Sequence, residues 1–423
     1  MRLLLVFPFF PYPPNDGGRI GFFNPIKYLS RQNDLFVVCL AGREEELGIE
    51  ELSRYCKDVR VYRRPVGKDY LRLAKGMLSF PPGSSAKYWY PAAGELIREA
   101  IAIHKPDLVE FHHLNTAKYR SYAGDLPCVL REHNVESQVW ERFAENSTSW
   151  IEKNYARWTA GRVKQYEGDI AACFDRCIVV SDADAGQLGD ISPTAKIEVI
   201  PSGVDTEYFY PRPEVVEDPF LITLTGSFEW KPKRQSLITL LKEVFPLIRE
   251  KDPAVKLQVV GKGVTGDLKR VAEAIPGVTI VGAVADVRPY IAQSALLINY
   301  LESGGGIALK VLEAMAMRKA VLCNALGCEG IPVAFGEDIC VADGAERFAS
   351  AAAHLIQDER ARKTLADNGY RRVRERYSWV VLARAFQHCY EELILGNGRE
   401  LPISEDKSRE YSVGLSAGIR NGE

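Results

Sequence analysis

Short runs of consecutive apolar residues alternate along this chain with longer segments in which apolar positions recur every three or four residues. In the first half the runs fall at 2–7 (RLLLVF), 35–40 (LFVVCL), 107–111 (DLVEF), 127–131 (PCVLR), 176–180 (RCIVV) and 196–200 (KIEVI). They are continuous, not alternating, which predicts strands buried on both faces of a parallel sheet. Helical spacing occupies 20–32, 93–104 and a long charged stretch at 150–173. A second series follows, with strands at 220–225, 256–260, 278–281, 295–299 and 320–323 and helices at about 235–250, 265–274, 307–318 and 345–356. A turn-rich stretch containing Pro201, Gly203, Pro211 and Pro213 separates the two series. Two doubly wound α/β domains, residues 1–200 and 201–378, are the economical reading, with a ligand cleft between the carboxyl ends of their sheets. The tail at 397–423 is polar and without periodicity.

Composition changes this picture little. The 423 residues are 46% hydrophobic and 26% charged, and the formal net charge of −2 offers no global field for nucleic acid. Nine cysteines, with no CxxC pair, are expected as reduced, mostly buried thiols. The apolar run before Pro8 is too short for a signal-peptide core or a membrane span, and no later stretch is long enough to span a bilayer. A cytoplasmic setting is therefore expected, in which the sequon Asn146-Ser147-Thr148 never meets a glycosylation machinery. The segment 67–90 mixes Lys and Arg with aromatic residues; it suits a helix with a solvated basic face, or a contact with a membrane surface or acceptor.

The stretch from Glu302 to Arg318 (ESGGGIALKVLEAMAMR) carries the most chemistry. It follows a predicted buried strand and opens a helix. Glycines let backbone N–H groups approach a ligand, and a helix N-terminus favours an anion. Gly306, Lys310 and Glu313 share a helix face. At 1.5 Å per residue Glu313 lies roughly 10 Å along the axis from Gly306, the reach from a diphosphate to its ribose. A carboxylate accepting two ribose hydroxyls suits that position. The plain alternative is a glycine-rich turn before an amphipathic core helix.

This stretch resembles the donor-site helix of glycosyltransferase family 4, whose members are retaining enzymes of the GT-B fold. Other segments resemble the same family in the same order: MRLLLVFPFFPYPPNDGGRIGFFN its first strand and glycine loop, REHNVES its histidine loop, VIPSGVDTEYFYP its interdomain segment, TLTGSFEWKP its phosphate loop, and RERYSWVVLARAFQHCYEEL its last helix. The resemblance spans about residues 1–395. It implies two Rossmann-like domains, with the helix at about 379–395 packing back on the first, and transfer of a sugar from a UDP- or GDP-linked donor to a glycan or lipid-linked acceptor, as in bacterial polysaccharide synthesis. By the same resemblance Glu313 holds the donor ribose, Gly17 and Gly18 close over the diphosphate, and His133 faces the donor sugar. Lys231 and Lys310 stabilise the leaving diphosphate, and Gly226, Ser227, Val284, Gly305, Gly306, Ile307 and Leu312 line the donor site. No cofactor or metal is implied, since side-chain cations and a helix terminus supply the positive charge. His112 and His113, ending the strand at 107–111, are candidates for acceptor contact, and the cytoplasmic membrane face is a candidate partner.

Departures from the family pattern are specific. Gly305 stands where a glutamate is common, Ser227 and Ala308 where arginines are, and Arg318 and Ala320 where glycine and proline are usual. A non-catalytic nucleotide-sugar-binding relative and a nucleotide-sugar epimerase are the alternatives kept. A second motif, Gly261-Lys-Gly263-Val-Thr-Gly266, fits the dinucleotide fingerprint GxGxxG. It lies mid-domain with no acid ending the next strand, so a nicotinamide cofactor is not expected.

Overall fold

The chain forms two parallel sheets, and the computed structural model describes residues 1–42, 48–65, 82–147, 149–302, 308–331 and 336–396. The first sheet has the order β3-β2-β1-β4-β5-β6-β7, built from β1 (Arg2–Phe7), β2 (Asp34–Ala41), β3 (Asp58–Arg63), β4 (Leu108–His112), β5 (Cys128–Arg131), β6 (Arg176–Val179) and β7 (Ile197–Val199). The second has the order β10-β9-β8-β11-β12-β13, from β8 (Asp218–Thr225), β9 (Lys256–Val260), β10 (Val278–Gly282), β11 (Ser294–Asn299), β12 (Ala320–Cys323) and β13 (Cys340–Val341). Every pairing is parallel. Helices cover both faces, so Leu3, Leu4, Leu5 and Val6 are all buried, on alternate sides of β1. This is the physical origin of the continuous apolar runs.

In each sheet the chain reverses its direction of winding once. The switch lies between β1 and β4 in the first sheet and between β8 and β11 in the second. Crevices at such points are where α/β sheets bind ligands. The loops after β1 and β4 lead to Gly17 and His113; those after β8 and β11 lead to Gly226 and to the helix Leu309–Ala316.

Two strands of chain cross between the sheets, and they are bonded to each other. Val204 bridges Ser378, Val204 N–H donates to the Tyr377 carbonyl at 2.8 Å, and Trp379 N–H donates to the Val204 carbonyl at 3.2 Å. After the second crossing, the helix Trp379–Gly396 returns to the first sheet. Trp379, Leu382, Phe386, Cys389, Tyr390 and Leu393 join the core that β1, β2 and the helix Gly17–Leu29 form on one face of that sheet. Next to the crossing, Asp205 is an anchor. Its carboxylate accepts from Lys27 Nζ at 2.5 Å, from Tyr28 Oη at 2.7 Å and from the N–H groups of Glu207 and Tyr208 at 3.0 Å.

One predicted helix is broken. The stretch 235–250 is two helices, Lys231–Thr239 and Phe245–Lys251, joined by a widened turn at Leu240–Val244. Pro246 has no N–H to donate to the preceding turn, and the helix opens there. All nine cysteines are free thiols; Cys173 is exposed and Cys340 half-buried. Among the described residues no helix is long and apolar enough to cross a membrane. Most of segment 67–90 lies outside the described residues, and so do Ser303–Ile307 and the tail from 397.

Candidate functional site

The second sheet brings three loops together at its switch point. Gly226 ends β8, and its N–H donates to the Val260 carbonyl at 3.0 Å; Phe228 N–H donates to the Lys262 carbonyl at 2.8 Å. Two glycines of the GxGxxG motif, Gly261 and Gly263, are explained by this packing. A β-carbon on Gly263 (φ 90°) would lie 2.5 Å from Glu229 N, and Gly261 is pressed still harder against Gly226. The motif thus lets two loop backbones touch. Asp286, the first acid after the next strand, is taken up by Arg288, whose Nε lies 2.8 Å from its carboxylate.

Lys310, one turn into the helix Leu309–Ala316, reaches back over this loop. Its Nζ lies 3.6 Å from where a β-carbon on Gly226 would be. Burial, aided by the charge of Lys233, pulls the Lys310 ammonium down to about 8. Glu313 follows on the same helix, and burial pushes its carboxyl up to about 7, with Lys310 partly offsetting the rise. Glu302, before the glycines, is held by two bonds to the Lys231–Thr239 helix: Thr239 Oγ1 donates to its carboxylate at 2.7 Å, and its own N–H donates to Ser236 Oγ at 3.1 Å. Gly305, Gly306 and Ile307 themselves lie outside the described residues.

Two sequence-based expectations change on this geometry. Lys231 is the first residue of its helix and is exposed, whereas Lys233 is half-buried and is the lysine whose charge Lys310 feels. Burial also lowers Lys233 itself. The signal was present in Lys231-Pro232-Lys233: proline in the first turn marks the helix start, and a third-residue side chain leans back over that start. Leu312 is fully buried in the core beneath the helix, so its side chain has no surface for a donor. Ser227 and Val284 are half-buried in the loops after β8 and β10, and the Ser227 hydroxyl donates to Glu229 at 3.4 Å.

The first sheet carries the remaining residues singled out in the sequence. Asp16 caps the helix Gly17–Leu29 by accepting from Arg19 N–H at 2.9 Å. Gly17 and Gly18 therefore form a helix's first turn, whose N–H groups have no partner within the helix. His133, just past β5, packs edge-on against Phe22 at 5.0 Å. A β-carbon on Gly21 would stand 2.9 Å from its Cε1, so glycine is what lets the ring lie there. Burial, then the charges of Arg131 and His113, hold His133 well below the ordinary histidine range and thus neutral. Its Nε2 has no hydrogen-bond partner among the described residues.

His112 is a correction. It is fully buried, 4.1 Å from the Phe7 ring, and its Nε2 lies 3.3 Å from the Glu110 carboxylate, so it has no surface for an acceptor. His113 is a structural cap: its Nδ1 accepts from Asn115 N–H at 3.4 Å and its Nε2 meets Glu136 at 2.9 Å. Burial opposes charge on His113, but Glu136 outweighs it and raises the imidazole above its usual range. Sequence reasoning missed a small cavity of about 80 Å³ at the join of the two halves, lined by Asn134, Gln138, Arg142, Ser181, Asp184 and Glu329. Arg142 spans it to Glu329 at 3.1 Å.

Known proteins agree with this architecture. Residues 26–208 match the family model "Glycosyltransferase Family 4", and residues 219–358 match "Glycosyl transferases group 1". A Klebsiella pneumoniae protein described as an uncharacterized 44.6 kDa protein in cps region is 23% identical over 388 residues, 89% of this chain and 96% of that one. Sucrose-phosphate synthase from Thermosynechococcus elongatus superimposes with a TM-score of 0.70 at 18% identity, covering 94% of this chain and all 100% of its own. Anabaena HepE in complex with UDP and glucose gives a TM-score of 0.64 at 16% identity, over 93% of this chain and 100% of that one. The lipopolysaccharide outer core galactosyltransferase WaaB gives 0.57 at 15% identity, over 94% and 99%. Two glycosyltransferase models, one on each half, and the fold shared with these structures identify the chain as a GT-B glycosyltransferase.

Proposed function

We propose that this chain moves a sugar from a UDP- or GDP-linked donor to a glycan or lipid-linked acceptor, with retention at the anomeric carbon. The observation that carries the reading is the Lys310 ammonium lying against Gly226, with Glu313 further along the same helix. An anion seated at Gly226 meets Lys310 and Lys233; a ribose one step outward meets the Glu313 carboxylate. That order of charges matches a nucleoside diphosphate.

In this reading the bond from the anomeric carbon to the β-phosphate oxygen breaks, and the electron pair leaves with the nucleoside diphosphate. Lys310, Lys233 and the N–H groups of Gly17 and Gly18 stabilise the charge that grows there. The acceptor hydroxyl attacks on the face the phosphate leaves, and its proton passes to a phosphate oxygen. Neutral His133, with its unpartnered Nε2, hydrogen-bonds a hydroxyl of the donor sugar. The lysines supply the positive charge, and no resident metal is invoked. UDP is the first base to try, since the Anabaena structure of the same fold holds it.

Calorimetry with UDP, GDP and ADP on the wild type and on Glu313→Ala tests the reading. Binding of one nucleotide, weakened at least about tenfold in the variant, is expected, as two charge-assisted hydrogen bonds are lost. Equal binding by both proteins would move the nucleotide away from Glu313. No binding to any nucleotide would remove the transferase reading.

A further inference from the structure

Arg142 and Glu329 belong to different domains, and each is braced to a part of the candidate site. Arg142 lies on the helix Glu136–Asn146, which begins three residues after His133. The start of that helix is pinned by the buried Glu167 carboxylate. It accepts from Glu136 N–H at 2.7 Å, from Ser137 N–H at 3.1 Å and from Ser137 Oγ at 2.7 Å. The helix and the His133 loop therefore move as one piece. Glu329 follows the tight turn Ala325–Cys328 after β12. That turn is tied to the end of β11, from which the chain runs on to Lys310. Asn324 Oδ1 accepts from Leu301 N–H at 3.0 Å and from Gly327 N–H at 3.1 Å, and its Nδ2 donates to the Leu301 carbonyl at 2.6 Å. Asn299 Nδ2 donates to the Gly327 carbonyl at 2.5 Å. A β-carbon on Gly327 would stand 2.3 Å from the Asn299 carbonyl oxygen, so the turn is pressed onto the strand.

Between these two pieces, Arg142 has a choice of carboxylates. Its Nη2 lies 3.1 Å from Glu329 Oε1 and its Nη1 3.4 Å from Glu329 Oε2, a two-point contact across the join. Asp184, from the same domain as Arg142, lines the same cavity, and the charges of both Arg142 and Glu329 act on it. Asp184 is itself anchored. Ser181 Oγ donates to it, and so does the N–H of Val135, two residues after His133. The cavity beside them, about 80 Å³, leaves the guanidinium room to turn from one carboxylate to the other. An ordinary surface ion pair joins two loose side chains and is worth little. Here both ends are fixed to backbone that carries the site.

We infer that Arg142 is an interdomain latch and, through it, a positioning residue for the transfer. Gripping Glu329, it fixes the His133 arm against the Lys310 arm. Turned to Asp184, it frees the second domain to swing on the crossing strands at Val204 and Tyr377–Trp379. The exchange is between two ion pairs of one kind, so the two arrangements lie near balance, and a ligand that touches both arms tips them. That last step rests on the transferase reading, which seats a diphosphate between Gly17, Gly18 and Lys310.

The test is small-angle X-ray scattering on the full chain, with and without UDP, for the wild type, Arg142→Glu and the swapped pair R142E/E329R. Arg142→Glu sets a third carboxylate beside Asp184 and Glu329 and should enlarge the radius of gyration. The swap restores opposite charges across the join and should bring the radius back. UDP affinity, measured by calorimetry on the same samples, should fall at least about threefold in Arg142→Glu and recover in the swap. A change that merely damaged the fold would not recover. Equal scattering by the wild type and Arg142→Glu overturns the inference, and so does a swap that leaves the loss in place. If scattering follows the charges as expected but none of the three proteins binds UDP, the latch stands and the transferase reading falls. If UDP binds equally to all three and their scattering is the same, the transferase reading stands and the latch falls.

Discussion

A β-carbon on Gly261 would stand 1.6 Å from the carbonyl oxygen of Gly226. The two glycines end neighbouring strands, β9 and β8, and their contact fixes the loop against which Lys310 lies. Gly261 also has φ 142°, a conformation side chains rarely adopt. Gly261→Ala is expected to destabilise the chain by at least about 2 kcal/mol, since backbone must move to admit the methyl group. Gly266, in the same motif, has φ 57° and nothing within 4 Å of its β-position. Gly266→Ala should cost less, about 1–2 kcal/mol, from backbone strain alone, since its φ 57° with ψ −126° is a conformation that favours glycine. Urea denaturation of the pair checks this; equal effects would dissociate the motif from loop packing.

Lys233 and Lys231 make a second pair to separate. Lys233→Ala should reduce kcat/KM at least about tenfold, by loss of one charge-assisted contact to the leaving diphosphate. Exposed Lys231→Ala should change it less than about threefold. Steady-state kinetics on both variants decides between them, and the reverse order would return the phosphate role to Lys231.

Nucleotide affinity should pass through a maximum in pH. Glu313 titrates near 7 in the empty site, and the carboxylate is its better acceptor form, so affinity rises as pH passes 7. Lys310 titrates near 8, and a bound diphosphate holds its proton, so affinity falls as pH passes 8, by up to about tenfold per unit. Glu313→Gln should flatten the acid limb and Lys310→Met the alkaline limb, both read by calorimetry across pH 6 to 9. For folding the Glu313 shift has its own sign. Between about 4.5 and 7 the folded chain keeps a proton the unfolded chain releases, so this group's contribution to stability is lost as pH rises through that window.

Arg131 is buried on β5 beneath the last helix, its guanidinium 4.5 Å from the Phe386 ring, and Glu110 is its nearby counter-charge. Burial raises the Glu110 carboxyl, Arg131 restrains the rise, and Tyr390 Oη donates to it. Arg131→Met is expected to cost about 3–5 kcal/mol, because Glu110 is left buried without its cation. Adding Glu110→Gln should restore part of that loss in thermal unfolding. A double variant no better than the single would mean that the ring contacts of Arg131, not its charge, matter.

What could be read in the sequence follows from burial. β1, β2, β8, β9, β11 and β12 lie inside the sheets and announce themselves as unbroken apolar runs. β3 (DVRVYR) is an edge strand, half-exposed, and its alternation of charge and valine hid it. The helix Glu359–Arg376 was hidden by its charge, for it buries little more than Leu365, Ala366, Gly369 and Val373, with Arg362 drawn in to bond the Leu355 and Ile356 carbonyls. In the site, spacing identified Lys310 and Glu313 as neighbours on one face. It could not choose between Lys231 and Lys233, because that depends on where the helix begins. Nor could it tell that the strand ending at His112 buries this ring and turns only His113 outward, through a backbone at φ 71°.

The return of Trp379–Gly396 to the first sheet sets an order of assembly. A ribosome makes β1 to β7 before the second domain, yet the face of that sheet carrying Leu3, Leu5 and Phe7 is covered only in part, by the helix Gly17–Leu29, until the last described helix emerges. The whole second domain is synthesised in the interval. The first domain is thus begun before the second and finished after it. A nascent chain stopped before Trp379 would present an intact second domain beside a first one whose core still faces water.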